Sequence, residues 1–147
     1  MRRLASVASI LLGILLVAGG VATWLVVSSK LADQKITTSD DACLPGRTVA
    51  DPFTAYCQAE VIEKHTLEQT DGLTYAELPR DDPRRETALT SSFLQASLFT
   101  SVLAFGVAAM AFGMGILFLL IGLGIRDVEE LAEELPGGAE IRPQSGH

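Results

Sequence analysis

Two long stretches without a charged residue, residues 4–29 and 87–125, dominate this sequence, and the polar residues 30–86 separate them. The hydrocarbon core of a bilayer is ~30 Å thick, and a helix of ~20 mostly apolar residues crosses it. Each stretch is long enough to do so. The sequence therefore predicts an all-α membrane protein in which two transmembrane helices form a hairpin.

The first apolar stretch also has to be compared with a secretory signal peptide, because Arg2 and Arg3 precede it. A signal peptide has an apolar region of ~7–15 residues, followed by a cleavage site made of small residues. Here the apolar run continues to Val27, which favours a retained helix. Cleavage between Ala22 and Ser29 stays open as an alternative.

These patterns divide the chain into four segments. We predict an N-terminal transmembrane helix at 1–29, a connector at 30–82, a long helix at 83–135 and a disordered tail at 136–147. The second transmembrane segment occupies about 98–125 of the long helix, because 1.5 Å per residue makes that helix longer than any bilayer is thick. The net charge is −7. An acidic chain repels phosphate backbones, so nucleic acid is disfavoured as a partner.

Basic residues at the ends of the two apolar stretches bear on orientation. Arg2, Arg3 and Arg126 flank the predicted membrane helices on the side of the termini, which favours cytoplasmic termini. The connector is also basic near both helices, however, through Lys30, Lys35, Arg80, Arg84 and Arg85. A count of basic residues therefore does not decide the orientation.

The two cysteines, Cys43 and Cys57, both lie in the connector. A cysteine pair confined to one soluble segment is typical of a disulfide in an oxidising compartment, although two unrelated thiols are the alternative. We therefore predict a multi-pass protein of the plasma membrane with both termini cytoplasmic and the connector extracytoplasmic. The predicted disulfide closes a loop of about fifteen residues.

Local signals predict helix ends in the second half of the chain. A connector helix at about 52–70 has Asp51 as its N-cap, Pro52 at its first position and Gly72 as its terminator. The long helix has Asp82 as its cap and Pro83 at its first position.

Small residues recur at spacings of three and four in both membrane helices, which places them on one face of each helix. In the first helix these residues are Ser6, Ser9, Gly13 and Gly20. In the second they are Ser97, Ser101, Ala104, Ala108, Ala111, Gly115 and Gly122. Lipid supplies no hydrophobic drive for pairing, so helices associate where small residues let the backbones approach. We predict that these stripes are the packing faces, the alternative being that small residues are simply common in membrane helices.

The large residues of the second helix are expected on the opposite side, facing lipid or a neighbouring subunit. They are Phe99, Phe105, Phe112, Leu119 and Leu120.

The sequence contains no residue pattern typical of a catalytic, transport or metal site. No ionisable residue lies inside either apolar stretch, which disfavours a pump or transporter. The only histidines are His65 and His147, which we expect on opposite sides of the membrane, so they do not form an iron site of two histidines and a carboxylate. Caps and solvated surface account for the connector carboxylates more simply than a divalent cation does. We predict no catalytic residue, cofactor or metal site.

Several segments resemble one family of small actinobacterial membrane proteins of unassigned role. They are 37–42 (TTSDDA), 51–56 (DPFTAY), 74–78 (TYAEL), 81–83 (DDP) and 92–108 (SFLQASLFTSVLAFGVA). The resemblance implies a hairpin topology and an envelope location, and it supplies no catalytic residue. Its members often carry the name aromatic ring-opening dioxygenase.

Together these features predict a non-enzymatic structural or accessory component of the cell envelope. It would act through helix packing and a small external cap, with the lipid bilayer and a membrane protein or a second copy of the chain as partners. The alternative is the dioxygenase that the family name implies. That enzyme is disfavoured because the sequence lacks a set of iron ligands.

Overall fold

The computed structural model describes residues 2–134 and consists of three helices. They are α1 (Arg2–Asp33), α2 (Pro52–Gln69) and α3 (Arg84–Glu134). Within the described range there is no strand, and an isolated antiparallel bridge joins Thr37 and Thr48. The predicted all-helical fold is thus confirmed, while the tail predicted at 136–147 lies outside the described residues.

Helices α1 and α3 are long and apolar enough to cross a membrane. Their apolar ranges are Arg3–Asp33, with mean hydropathy 2.5, and Arg84–Val128, with mean hydropathy 2.4. The most apolar windows of these helices are only 11% and 17% buried inside the protein. A core helix of a soluble protein would be mostly buried, so these two helices present their apolar side chains outward instead.

The contacts divide the chain into two units. Within the described residues, the terminal unit combines residues 2–17 with residues 113–134, and the connector unit comprises Ala18–Phe112. The connector unit therefore contains the second half of α1, all of α2 and the first half of α3.

The start of α2 is fixed by a reciprocal cap. The Asp51 carboxylate accepts hydrogen bonds from the backbone N–H groups of Phe53 (2.9 Å) and Thr54 (3.0 Å). In return, the Thr54 hydroxyl accepts a hydrogen bond from the Asp51 N–H at 3.2 Å. These bonds satisfy donors that a helix N-terminus leaves without partners. The cap expected at Asp51 is present, with Pro52 as the first helical residue.

The end of α2 uses a left-handed turn at Asp71 and Gly72, with φ angles of 55° and 82°. The Gly72 N–H donates to the Leu67 carbonyl at 2.7 Å, which closes the last turn. Helix α2 ends at Gln69, one residue before the expected boundary.

Arg84 joins this turn to the start of α3. Its guanidinium donates to Asp71 at 2.7 Å and to Asp82 at 2.8 Å, and its backbone N–H also donates to Asp82 at 2.8 Å. The hydrogen bonds from Arg84 lower the pKa of the Asp82 carboxyl. Asp82 thus caps α3 as expected, but the helix begins at Arg84 rather than at Pro83.

The core of the connector unit brings all three helices together. It consists of Leu31, Val49, Ala55, Ala59, Leu98 and Phe105. Phe105 is 1% exposed and its ring lies edge-on to Trp24, with 4.7 Å between the ring centroids. The expectation that Phe105 faces lipid is therefore wrong. Phe105 instead belongs to the buried cluster that α3 shares with α1 and α2.

Candidate helix-packing faces and disulfide-bonded connector

In the terminal unit, α1 and α3 meet backbone to backbone at Gly13 and Gly115. A Cβ atom placed on Gly115 would lie 2.7 Å from the Val17 nitrogen and 2.8 Å from the Gly13 carbonyl oxygen. A Cβ atom on Gly13 would likewise lie 2.8 Å from the Gly115 carbonyl oxygen. Real Cβ atoms essentially never approach other heavy atoms this closely. Glycine at both positions is what permits the contact.

Two serine hydroxyls reinforce the same contact. Ser6 donates to the Gly122 carbonyl at 2.7 Å, and Ser9 donates to the Phe118 carbonyl at 2.8 Å. Interhelical hydrogen bonds of this kind contribute roughly 0.6–2 kcal/mol in a membrane. We call Ser6, Ser9, Gly13, Gly115 and Gly122 the terminal packing face.

The connector unit contains a second close approach. A Cβ atom on Gly20 would lie 2.7 Å from the Ala108 carbonyl oxygen and 2.9 Å from the Phe112 nitrogen. Ala108 is buried, as the small-residue stripe predicts for a packing position. Beside this contact, an open apolar groove of about 320 Å³ runs between Trp24 and Phe112.

Other residues of the predicted stripe differ in their surroundings. Ser101, Ala104 and Ala111 are half-buried, whereas Ser97 is exposed. The Ser97 carbonyl accepts a hydrogen bond from the Ser101 hydroxyl within α3 at 3.1 Å. The structure therefore does not bring Ser97 into a packing face. At that level of α3 the buried residue is Leu98, because α2 provides the opposing surface.

Leu119 is a packing residue that the sequence interpretation assigned to the wrong side. Its Cγ atom would lie 2.8 Å from a Cβ atom on Gly13, so the leucine side chain fits against the glycine. Phe112 approaches Gly20 only through its backbone nitrogen and its Cβ atom, and its side chain is exposed, as expected. Phe99 and Leu120 are exposed, as expected.

Cys43 and Cys57 lie at disulfide-bonding distance in the connector, with 5.4 Å between their Cα atoms. Cys57 is buried in a small cluster with Ala42 and Val61, and Leu44 packs against it. Cys43, in contrast, is exposed. The pair ties the segment before α2 onto the first turns of that helix.

Backbone hydrogen bonds shape the segment that the disulfide ties down. The Thr38 N–H donates to the Arg47 carbonyl at 2.8 Å, and the Val49 N–H donates to the Ile36 carbonyl at 2.9 Å. The buried Thr38 hydroxyl also donates to the Leu44 carbonyl. The segment thus folds back on itself as a small hairpin before the chain enters α2.

Asp41, near the disulfide, contacts two basic side chains of α2. Its carboxylate lies 2.9 Å from Lys64 Nζ and 2.9 Å from His65 Nε2. The hydrogen bond from Lys64 and then that from His65 lower the pKa of Asp41 from 3.8 to about 2. These contacts hold the segment before α2 against the C-terminal half of that helix.

We expect Lys64→Met to raise the pKa of Asp41 toward its ordinary value of 3.8, because the larger of the two hydrogen bonds is removed. A lowered pKa means that the ionised carboxylate stabilises the fold above pH 3.8, and that this contribution is lost as the pH falls toward about 2. Titration of the Asp41 carboxyl carbon by NMR measures the shift. Lys64→Arg is the matched control; an unchanged pKa in Lys64→Met would contradict the contact.

Among residues 2–134, no three or more histidine, cysteine, aspartate or glutamate side chains form a group that could hold a metal ion. His65 contacts Asp41, and His147 lies outside the described residues. The organised features of the described chain are therefore the glycine contacts and the cysteine-linked connector.

Comparison with protein-family models, with curated proteins and with solved structures found no match to this chain.

Proposed function

We propose that this protein is a two-pass protein of the plasma membrane, with both termini cytoplasmic and the connector extracytoplasmic. Two observations support this proposal. The long helices expose apolar side chains, which need a hydrocarbon environment. The cysteine pair in the connector suits an oxidising compartment.

Within the membrane, the protein acts as a non-enzymatic structural or accessory component of the cell envelope. The observation that carries this role is the backbone contact at Gly13 and Gly115, which joins two membrane helices without any reactive group between them. A helix pair with exposed apolar side chains is suited to pack against a membrane protein or a second copy of itself. The resemblance to the small actinobacterial family is part of this proposal.

Crosslinking in the native membrane, followed by mass spectrometry, tests the accessory role. We expect crosslinks from exposed lysines such as Lys30 and Lys35 to recur on one membrane protein or on a second copy of the chain. Metal analysis of the purified protein tests the competing role. Stoichiometric iron that is lost in His65→Ala would contradict the proposal in favour of an enzyme.

The orientation leads to a labelling prediction. After mild reduction of intact cells, a membrane-impermeant thiol reagent should modify Cys43, because this residue is exposed and lies in the external connector. Mass spectrometry of the modified peptide measures the labelling, and Cys43→Ser is the control for specificity. Labelling that occurs only after cell lysis would mean that the orientation is inverted.

A further inference from the structure

We infer that the start of α2 is immersed in the lipid headgroup layer, so that the connector has a membrane-binding rim formed by Phe53, Tyr56 and Phe99. This inference rests on the proposed membrane crossing of α1 and α3. It adds that a part of the connector outside the spans binds phospholipid directly.

Helix α2 begins against the apolar helix α3. The rings of Tyr56 and Phe99 meet edge-on, with 6.1 Å between their centroids, and Phe99 belongs to the apolar part of α3. On the same turns of α2, Ala55 and Ala59 pack in the same core as Leu98. The first turns of α2 therefore lie beside residues of a helix that crosses the membrane.

The side chains of the rim are aromatic and exposed. Phe53, Tyr56 and Phe99 are 72%, 45% and 40% exposed. The Tyr56 hydroxyl donates to Glu60 at 2.8 Å, so one end of this side chain is polar and the rest is apolar. Side chains of this character are enriched where a membrane meets water.

The positions of the rim residues along α1 and α3 give their depth relative to the hydrocarbon core. From Arg3 to Trp24, α1 rises about 32 Å, which matches the ~30 Å hydrocarbon core and puts Trp24 at its outer edge. Trp24 contacts Phe105. From Phe105 to Phe99, α3 rises about 9 Å further, into the headgroup layer, in which amphipathic helices bury an apolar face by ~5–10 Å. The rim thus lies at headgroup depth.

Charge along α2 agrees with this placement. The apolar rim belongs to the first turns, whereas Glu63, Lys64 and Glu68 are exposed toward the other end of the helix. The rim is also continuous with the apolar surface of α3 through Phe99. Lipid is therefore the occupant that already surrounds the neighbouring residues, and no separate protein surface is needed to cover the rim.

Single-tryptophan reporters in the full chain test this inference, because Trp24 is the only tryptophan. The protein is reconstituted in phosphatidylcholine and phosphatidylglycerol vesicles that contain lipids brominated near the headgroup end of the acyl chain. Trp24→Phe serves as the background for three separate reporters, Phe53→Trp, Tyr56→Trp and Glu68→Trp. We expect brominated lipid to remove most of the fluorescence at positions 53 and 56, and aqueous acrylamide to remove most of it at position 68.

Quenching of Trp24 in the unmodified protein tests the membrane crossing separately from the position of the rim. If brominated lipid fails to quench Trp24, the membrane crossing itself is wrong. If Trp24 is quenched but the reporters at 53 and 56 respond only to acrylamide, the rim is in water and the inference is overturned. Shielding of both reporters from both quenchers would overturn it in favour of a protein cover, such as a second copy.

Discussion

Gly115→Leu is expected to weaken the pairing of α1 with α3 by roughly 1–3 kcal/mol, the usual cost of forcing a larger side chain into a close-packed contact. The reason is that a Cβ atom at this position would meet backbone atoms of Val17 and Gly13, in addition to the Val17 side chain. Backbone atoms can yield only if the two helices separate. Because 1.4 kcal/mol corresponds to a factor of ten, the association constant should fall by roughly 5-fold to 140-fold.

The measurement is fluorescence energy transfer between two peptides, residues 2–29 and 92–128, which carry a donor and an acceptor fluorophore. Both peptides are reconstituted in phosphatidylcholine and phosphatidylglycerol vesicles. Each segment satisfies its backbone hydrogen bonds internally and therefore forms a helix in the bilayer on its own. Gly113→Leu is the matched control, since nothing lies within 4 Å of a Cβ atom at Gly113. Both substitutions add the same apolar side chain, so insertion is affected alike. Equal weakening by the two substitutions would rule out the terminal packing face.

The positions at which the helices pack closely could be predicted from the sequence only in part. The spacing of small residues identified Gly13, Gly20, Gly115 and Gly122, all of which make close contacts. Periodicity compares residues within one helix, however, and contains no information about the opposing surface. Ser97 fits the period of the stripe yet is exposed, because the neighbouring helix at that level of the connector unit is α2.

The opposite error at Phe105 and Leu119 has a related cause. Size alone assigned both residues to lipid, but helix packing places large residues opposite small ones. Leu119 fits against Gly13, and Phe105 belongs to the core that α3 shares with α1 and α2. A search for large residues of α3 at the levels of the α1 glycines could have found Leu119. Nothing in the sequence of α3 alone indicates that a three-helix core forms in this part of the chain.

Local chemistry was the more reliable guide in the connector. The bounds of α2 follow from Asp51, Pro52 and Gly72, whose effects depend on the nearest turn of the chain. The fold of residues 36–49 is different, because it depends on pairing between Thr38 and Arg47 and between Ile36 and Val49. Such pairing leaves no periodic signal in so short a segment, so the sequence indicated turns but not their partners.

Loss of the cysteine bridge is expected to destabilise the connector by about 3 kcal/mol, the chain-entropy estimate for a closed loop of this length. Cys43→Ser isolates the loss of the bond best, because residue 43 is exposed and the buried Cys57 stays in place. Exchange of the amide hydrogens of Val49 and Ala55 should then accelerate about a hundredfold, since 1.4 kcal/mol is a factor of ten.

The control for this prediction is reduction of the unmodified protein, which removes the bond without changing a side chain. It should accelerate the same amides as Cys43→Ser does, whereas amides near Gly13 should exchange as before, because the bridge restrains only the connector. Cys57→Ser should cost at least as much, since it also places a hydroxyl in the apolar cluster of Ala42 and Val61. Unchanged exchange in both Cys43→Ser and the reduced protein would mean that the two sulfurs carry no bond, and residues 36–49 would then be held by their backbone hydrogen bonds, the Asp41 contacts and packing against the small connector core.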